Sequence, residues 1–167
     1  MFFKLAMRDT AILAVAVGLW WWLARFSVGD GMLSDFVGFV GGLALTACAF
    51  IVHEWGHLLA GFLSGSVVHP ANRLKSRFVF SFDRRRNSRG QFLVMSVGGF
   101  IATGLSLWAV YGLLPDAELA TRVARGGVLF LVFLGVVLEL PLVAWSLVRS
   151  DLPPVETFPG PAEPAES

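Results

Sequence analysis

Four apolar runs, each close to the width of a bilayer in length, constrain this chain more than any other feature. They cover about residues 10–28, 36–64, 92–114 and 126–148. A helix needs about 20 mainly apolar residues to cross the hydrocarbon core. Hydrophobic residues make up 56% of the chain and charged residues only 15%, a composition that soluble domains of this size seldom have. The sequence therefore predicts an all-α, multi-pass membrane protein with about four transmembrane helices.

Charge distribution predicts how these helices are oriented. The loop between the second and third runs, residues 65–91, is rich in arginine, whereas the loops at 25–35 and 115–125 are nearly balanced in charge. Positive charge is retained on the cytoplasmic side, so this loop and both termini are predicted to be cytoplasmic. Trp20, Trp21 and Trp22 stand where a signal-peptide cleavage site would lie, so the first run is interpreted as an uncleaved anchor. The net charge of +1 gives no indication of nucleic-acid binding.

The chain divides into a membrane domain, residues 1–150, and a short tail, residues 151–167. The tail is rich in proline and acidic residues, which predicts that it is mostly disordered. Within the basic loop, the segment RFVFSF at 77–82 alternates, so that Phe78, Phe80 and Phe82 share one face of a strand. Turn-forming residues follow it. This pattern predicts a small β-hairpin at the inner leaflet, and the alternative is a solvated connector. If the hairpin forms, its edge is a candidate surface for holding an unwound substrate segment.

An H-E-x-x-H motif lies inside the second apolar run, as His53-Glu54-Trp55-Gly56-His57. Residues four apart share a helix face, so His53 and His57 are predicted to bind one Zn²⁺ ion. Glu54 would lie beside the open coordination position and take a proton from the attacking water. Ionisable groups are costly at membrane depth, which favours a metal site over chance occurrence of the motif. The alternative is a buried polar network without a metal.

Three segments resemble the intramembrane metalloproteases of the site-2 protease family. HEWGHLLAGFLSG, residues 53–65, is similar to that family's metal-binding helix, and RFVFSFDRRRNSRGQF resembles the sheet insert that follows it. SVGGFIATG, residues 96–104, resembles the A-G-P-x-x-N segment of the next core helix, with Gly99 and Ala102 in place of proline and asparagine. The resemblance covers residues 36–152. It implies a zinc-dependent endopeptidase that cuts a peptide bond in or near a membrane-embedded segment.

The resemblance also implies a third zinc ligand, and two residues compete for this role. The family's aspartate on its last core helix matches Asp151, which requires the helix to break near Pro141. Depth along straight helices instead favours Glu139, because it lies about as far from the cytoplasmic end of its run as the two histidines do from theirs. His69, in the loop, is a weaker candidate. Asp151 is the predicted ligand and Glu139 the alternative.

The partners implied are the lipid bilayer and a membrane protein or peptide that serves as substrate. A second class of function stays open: a non-catalytic membrane scaffold that retains the fold and binds client helices without cutting them. The altered residues at Gly99 and Ala102, and the missing glycine after Asp151, favour this alternative. The presence of Glu54 favours the enzyme, because a purely structural site has no need of a base.

Overall fold

The computed structural model describes residues 1–25, 31–76, 78–149 and 151–153. Most of this part of the chain is helical, with one small antiparallel sheet. In chain order the elements are α1 (Phe2–Arg25), α2 (Met32–Leu63), β1 (Val68–Pro70), β2 (Phe80–Phe82), α3 (Arg89–Gly112), α4 (Leu119–Leu134), a π-helical turn (Gly135–Glu139) and α5 (Leu140–Val148). Residues 154–167 of the predicted tail, on which the prediction of disorder mainly falls, lie outside the described residues.

Three helical segments are long and apolar enough to cross a membrane. They are α2, α3 and the continuous helix Leu119–Val148, which comprises α4, the π turn and α5. Three of the four predicted runs thus form helices that could cross a membrane, as the prediction requires. The first predicted run falls in α1, which does not reach the same hydropathy and charge criteria; this helix carries Lys4, Arg8 and Asp9 in its first half.

Helices α2 and α3 cross in close contact because glycines face each other. A Cβ added at Gly56 would lie 2.6 Å from the carbonyl oxygen of Gly98, and one added at Gly98 would lie 2.5 Å from that of Gly56. Small residues let helix backbones approach in this way. Gly56, in the middle of the H-E-x-x-H motif, is therefore a packing residue. The close crossing places the histidines of α2 directly against α3.

The hairpin insert is confirmed, although it differs in detail from the predicted strand. β1 and β2 pair antiparallel, with Val68 opposite Phe82 and Pro70 opposite Phe80. Arg77, the first residue of the predicted strand, lies outside the described residues. The predicted alternation does not match burial: Val79 and Phe80 are adjacent and are 1% and 2% exposed, while Phe78 is 38% exposed. The hairpin turns inward at these two residues because Val79 and Phe80 pack into the same core as helices α1, α2 and α3.

Pro141 changes the last helix without breaking it. Proline lacks an N–H and clashes with the carbonyl one turn earlier. Here the preceding residues absorb this misfit as a π turn, in which the Leu140 N–H donates to the Gly135 carbonyl. The helix then continues to Val148. The helix break that would carry Asp151 towards the histidines is thus absent over residues 119–148.

Candidate metal centre

Three ligating side chains converge between α2 and the π turn. His53 Nε2 lies 3.0 Å from Glu139 Oε1, and His57 Nε2 lies 3.4 Å from Glu139 Oε2. The two histidine Nε2 atoms are 3.0 Å apart. These three residues form the group of His, Cys, Asp and Glu side chains that the described part of the chain places within reach of one metal ion.

Hydrogen bonds to α3 orient both imidazole rings. His57 Nδ1 lies 2.9 Å from the Met95 carbonyl oxygen, and His53 Nδ1 lies 3.1 Å from that of Gly99 and 2.8 Å from Thr103 Oγ1. Because a carbonyl oxygen only accepts, each Nδ1 carries the proton and donates. In the neutral rings both Nε2 atoms therefore present lone pairs to each other and to the Glu139 carboxylate. Such a cluster of electron-pair donors repels itself unless a cation lies between its members.

The donor set fits zinc. Ligands bound to zinc at about 2.0–2.1 Å in a tetrahedral site are about 3.3 Å apart. The separation of the two Nε2 atoms, 3.0 Å, is close to this value. The two oxygens of Glu139 lie 3.0 Å from His53 Nε2 (Oε1) and 3.4 Å from His57 Nε2 (Oε2). Glu139 Oε2 is buried and has no hydrogen-bond partner in the described structure, as expected for an atom that would face a metal. Two imidazoles and one carboxylate are a donor set that catalytic zinc sites use. His53, His57 and Glu139 are the residues that would hold the ion.

Glu54 lies at the same site but does not belong to the ligand cluster. Its side chain is 4% exposed, and its carboxylate accepts a backbone hydrogen bond from Val79 in the hairpin. The second oxygen, Oε2, is buried and has no partner in the described structure. Val79 also accepts a hydrogen bond from the Ala71 N–H, so both of its backbone groups are engaged within the protein. This leaves no backbone group of Val79 for pairing with a substrate strand.

The centre opens into a largely apolar cavity of about 470 Å³. His53, Glu54, His57 and Glu139 contribute the ionisable part of its wall, and Ser96 and Thr103 are its other polar residues. The rest of the wall is mainly aliphatic and aromatic, with contributions from Phe50, Phe78, Phe92, Met95, Leu131, Leu134, Leu138 and Leu142. The candidate metal ligands thus face a mostly apolar chamber lined by α2, α3 and the last helix.

A buried carboxylate next to the motif was not anticipated from the sequence. Asp9 of α1 is 2% exposed and accepts a hydrogen bond of 2.9 Å from the Trp55 indole N–H. Arg8 pairs with Asp9 at 2.7 Å and also donates to the backbone carbonyls of Leu74 and Ser76. The first turns of α1 thereby link the residue next to Glu54 with the loop that leads to Val79. The signal present in the sequence was the Arg8–Asp9 pair at the start of an apolar helix.

Of the sequence-predicted residues, the structure brings together His53, Glu54 and His57, with Glu139 as the third ligating side chain. Asp151 is exposed after the end of α5 and does not join this cluster. His69 lies in β1, where its Nε2 is 3.3 Å from Asp83 Oδ2. The arrangement therefore favours Glu139 over Asp151 as the third ligand.

Comparisons with known proteins do not assign this chain to a family. No protein-family model matches the chain, and neither a curated protein nor a solved structure matches it. The case for a function therefore depends on the geometry of the residues described above.

Proposed function

We propose that this protein is a zinc-dependent intramembrane endopeptidase that hydrolyses a peptide bond in or near a membrane-embedded segment. One observation carries the proposal. His53 Nε2, His57 Nε2 and the Glu139 carboxylate converge to within 3.0–3.4 Å inside membrane-spanning helices. Glu54 lines the same cavity. Placing several ionisable side chains within a bilayer costs free energy, so such a group typically indicates a functional site.

Each residue has a distinct part in the proposed reaction. His53, His57 and Glu139 would hold the ion, and the hydrogen bonds from the imidazoles to α3 keep the rings in place. A bound zinc ion supplies Lewis-acid polarisation of a carbonyl and makes water a stronger acid. Glu54 would accept the proton from that water and pass it to the leaving amine. Its free Oε2 is the oxygen suited to this transfer.

The cavity indicates what class of substrate would reach these residues. Its wall is mostly apolar, which suits the side chains of a transmembrane segment. A helix conceals its carbonyls in internal hydrogen bonds, so the substrate has to unwind locally before its carbonyl reaches Glu54 and the metal. The proposed substrate is therefore a membrane protein or peptide with a locally unwound span.

We infer that α1 is a fourth span and that both termini lie in the cytoplasm. The N-terminal part of α1 contacts the hairpin end of the molecule, because Leu5 is fully buried in the same cluster as Val79 and Phe80. Near its other end, the Trp20 indole lies 3.4 Å from Thr121 at the start of α4. At 1.5 Å per residue, its 24 residues measure about 36 Å, which is enough to cross the bilayer.

A non-catalytic scaffold that binds client helices is the second candidate. The observation that favours it is the hydrogen bond between the Glu54 carboxylate and the Val79 backbone. This contact engages the proposed base within the protein and encloses it beneath the hairpin. A scaffold needs only this structural contact, whereas an enzyme would in addition use the other carboxylate oxygen, Oε2, for proton transfer.

Cleavage of a reporter peptide by the purified protein in liposomes separates the two candidates. The reporter carries one transmembrane segment, and mass spectrometry identifies its products. Wild type loaded with zinc should cut it, and Glu54→Gln should keep its zinc while the rate falls by about 10²–10⁴-fold. Glu118→Gln, at the other end of the last helix, is the matched control and should leave the rate unchanged. Zinc binding without cleavage in wild type would favour the scaffold.

A further inference from the structure

A second cavity lies at the hairpin loop. It has a volume of about 420 Å³ and is lined mainly by residues 69–73, 75, 76 and 78–81 of the hairpin loop, except Val79. Its wall is more polar than that of the first cavity and includes Arg73, Lys75 and Ser76. We call it the basic cleft.

Among the described residues, none neutralises the two cations of the basic cleft. The side chains of Arg73 and Lys75 are exposed and form no ion pair or hydrogen bond with these residues. The carboxylate of Asp83, which pairs with His69 of the cleft, is also engaged by the backbone amides of Arg85 and Arg86. The cleft therefore presents net positive charge to a ligand.

Arg8 gives the cleft a defined shape. Its guanidinium donates to the carbonyls of Leu74 and Ser76, which bracket Lys75. Arg8 is itself tied to the buried Asp9. The loop that carries the two free cations is thus anchored to α1, and this anchoring reduces the ordering cost of binding a ligand there.

The basic cleft and the cavity of the metal centre share one lining residue. Phe78 lines both cavities, and the next residue, Val79, contacts Glu54. From His57 to the end of α2 at Leu63 the helix rises about 9 Å, and from His53 about 15 Å. An extended peptide covers about 3.3 Å per residue, so three to five residues cover the length from the histidines to the hairpin end of α2.

We propose that the basic cleft selects substrates by binding an acidic side chain that lies about three to five residues from the scissile bond, on the hairpin side. The proposal rests on the proposed function and specifies its substrate class. A transmembrane segment enters the apolar cavity, its unwound end passes Phe78, and its Asp or Glu reaches Arg73 and Lys75. The cleft's polarity and its adjacency to the metal cavity favour a peptide carboxylate over the headgroup of an anionic lipid as its ligand.

Reversing the charge of the cleft and varying the charge of the peptide tests whether the basic cleft selects acidic substrates. Reporter peptides carry Asp, Asn or Lys four residues from the cut, and the protein is wild type, the double variant Arg73→Glu/Lys75→Glu, or the control Arg122→Glu. Arg122 is an exposed arginine at the opposite end of the molecule, in the first turn of α4. Wild type and the control should prefer the Asp peptide to the Asn peptide by about tenfold in kcat/KM. The double variant should reverse this order and prefer the Lys peptide.

Binding measured without cleavage keeps this test separate from that of the proposed function. Glu54→Gln versions of all three proteins are titrated with fluorescent peptides in neutral-lipid vesicles. If wild type cuts no peptide but the Asp preference and its reversal are seen in binding, the cleft proposal stands and the enzyme proposal fails. If no protein distinguishes the peptides, the cleft proposal is overturned. It is also overturned if the two cations instead control binding to vesicles containing phosphatidylglycerol, with no peptide charge preference.

Discussion

The absence of a side chain at Gly99 leaves the space that the His57 ring fills. A Cβ at this position would lie 2.3 Å from His57 Nε2, which is far closer than a non-bonded carbon and nitrogen can approach. The carbonyl of the same residue accepts from His53 Nδ1. Gly99 is one of the positions at which this chain departs from the resembled family's motif, and the structure gives that departure a physical reason.

Gly99→Ala should therefore displace the His57 ring and weaken metal binding by about 10–100-fold, the range typical of losing support for a ligand. Gly104→Ala, one and a half turns further along α3, is the matched control, because a Cβ there meets nothing within 4 Å. Zinc affinity is measured by competition with a chelator. Equal affinities for the two variants would show that His57 does not bind the metal from the position described.

The residues His53, Glu54 and His57 are the part of the site that sequence alone predicts well. The spacing of four places His53 and His57 on a common face of any helix, and Glu54 follows His53 directly. The third ligand is different, because it comes from a distant segment whose position depends on how the last helix accommodates Pro141. Asp9 was not anticipated for a related reason: its burial follows from the packing of α1 against Trp55, which no local pattern reveals.

Asp83 provides the pH-dependent contact outside the membrane-spanning helices. Burial raises the pKa of its carboxyl, but the hydrogen bond with His69 and those from the Arg85 and Arg86 amides outweigh this effect, so the pKa lies below its ordinary value of 3.8. A lowered pKa in the folded state stabilises the protein above about pH 4 and loses this effect as the pH falls through the folded value.

Replacing Asp83 by Asn should therefore lower the thermal stability of the protein in detergent at pH 7. The difference from wild type should shrink as the pH falls below about 4, where the wild-type carboxyl also becomes neutral. Unfolding is followed by the fluorescence of the tryptophans at a series of pH values. A difference that stays constant over the whole series would contradict the assigned role of the carboxylate.

At the scale of whole elements, the π turn at Gly135–Glu139 determines which acidic residue reaches the metal centre. π-helical turns are rare and frequently occur at functional sites. Pro141 shows in the sequence that the last helix is distorted, but not how. A proline inside a helix can be accommodated by a break, a kink or a bulge. A break was predicted and a bulge is found. It keeps Glu139 beside the histidines and leaves Asp151 beyond the end of α5.

The start of α3 is fastened to the end of α2 by one side chain. Gln91 and Ser88 form a capping box, and the Gln91 amide also donates to the carbonyls of Ser64 and Gly65. Ser88→Ala should cost about 1 kcal/mol of unfolding free energy, as usual for an N-cap. Gln91→Ala should cost about twice as much, because it also frees the α2 carbonyls.

Denaturant unfolding in mixed micelles measures both variants against wild type. If Gln91→Ala proves no more destabilising than Ser88→Ala, the bond across the two helices contributes nothing, and Gln91 acts in the cap alone. The capping signal, Ser88 followed by Gln91, is readable in the sequence. The bond to α2 is not, because it depends on the hairpin returning the chain to the end of that helix.

The described part of the molecule combines a helical bundle, in which three apolar runs form helices that could cross a membrane, with a small hairpin. The bundle is predictable because apolar length largely determines a span. The burial of the hairpin is not, since Val79 and Phe80 turn inward together, against the alternation that a strand exposed on one face would show. The inward turn follows from the apolar cluster shared by Leu5, Leu58 and Phe92.

Single-cysteine labelling tests the proposed orientation. Cys48 is the only cysteine in the chain and is buried, so Cys48→Ser gives a protein without a thiol for the label to react with. Asn72 in the hairpin loop and Ala117 between α3 and α4 are both exposed, so Asn72→Cys and Ala117→Cys each introduce an accessible thiol. An impermeant maleimide should label position 117 in intact cells and position 72 only after the cytoplasm is opened. The reverse pattern would invert the proposed topology.

Zinc stoichiometry and affinity in two acid variants test the central claim most directly. The account assigns the metal to His53, His57 and Glu139, and Asp151 lies outside the centre. Purified wild type and Asp151→Asn should each bind one zinc ion with equal affinity, and Glu139→Gln should bind it at least about 100-fold more weakly. Retention of zinc by Glu139→Gln together with its loss from Asp151→Asn would contradict the account.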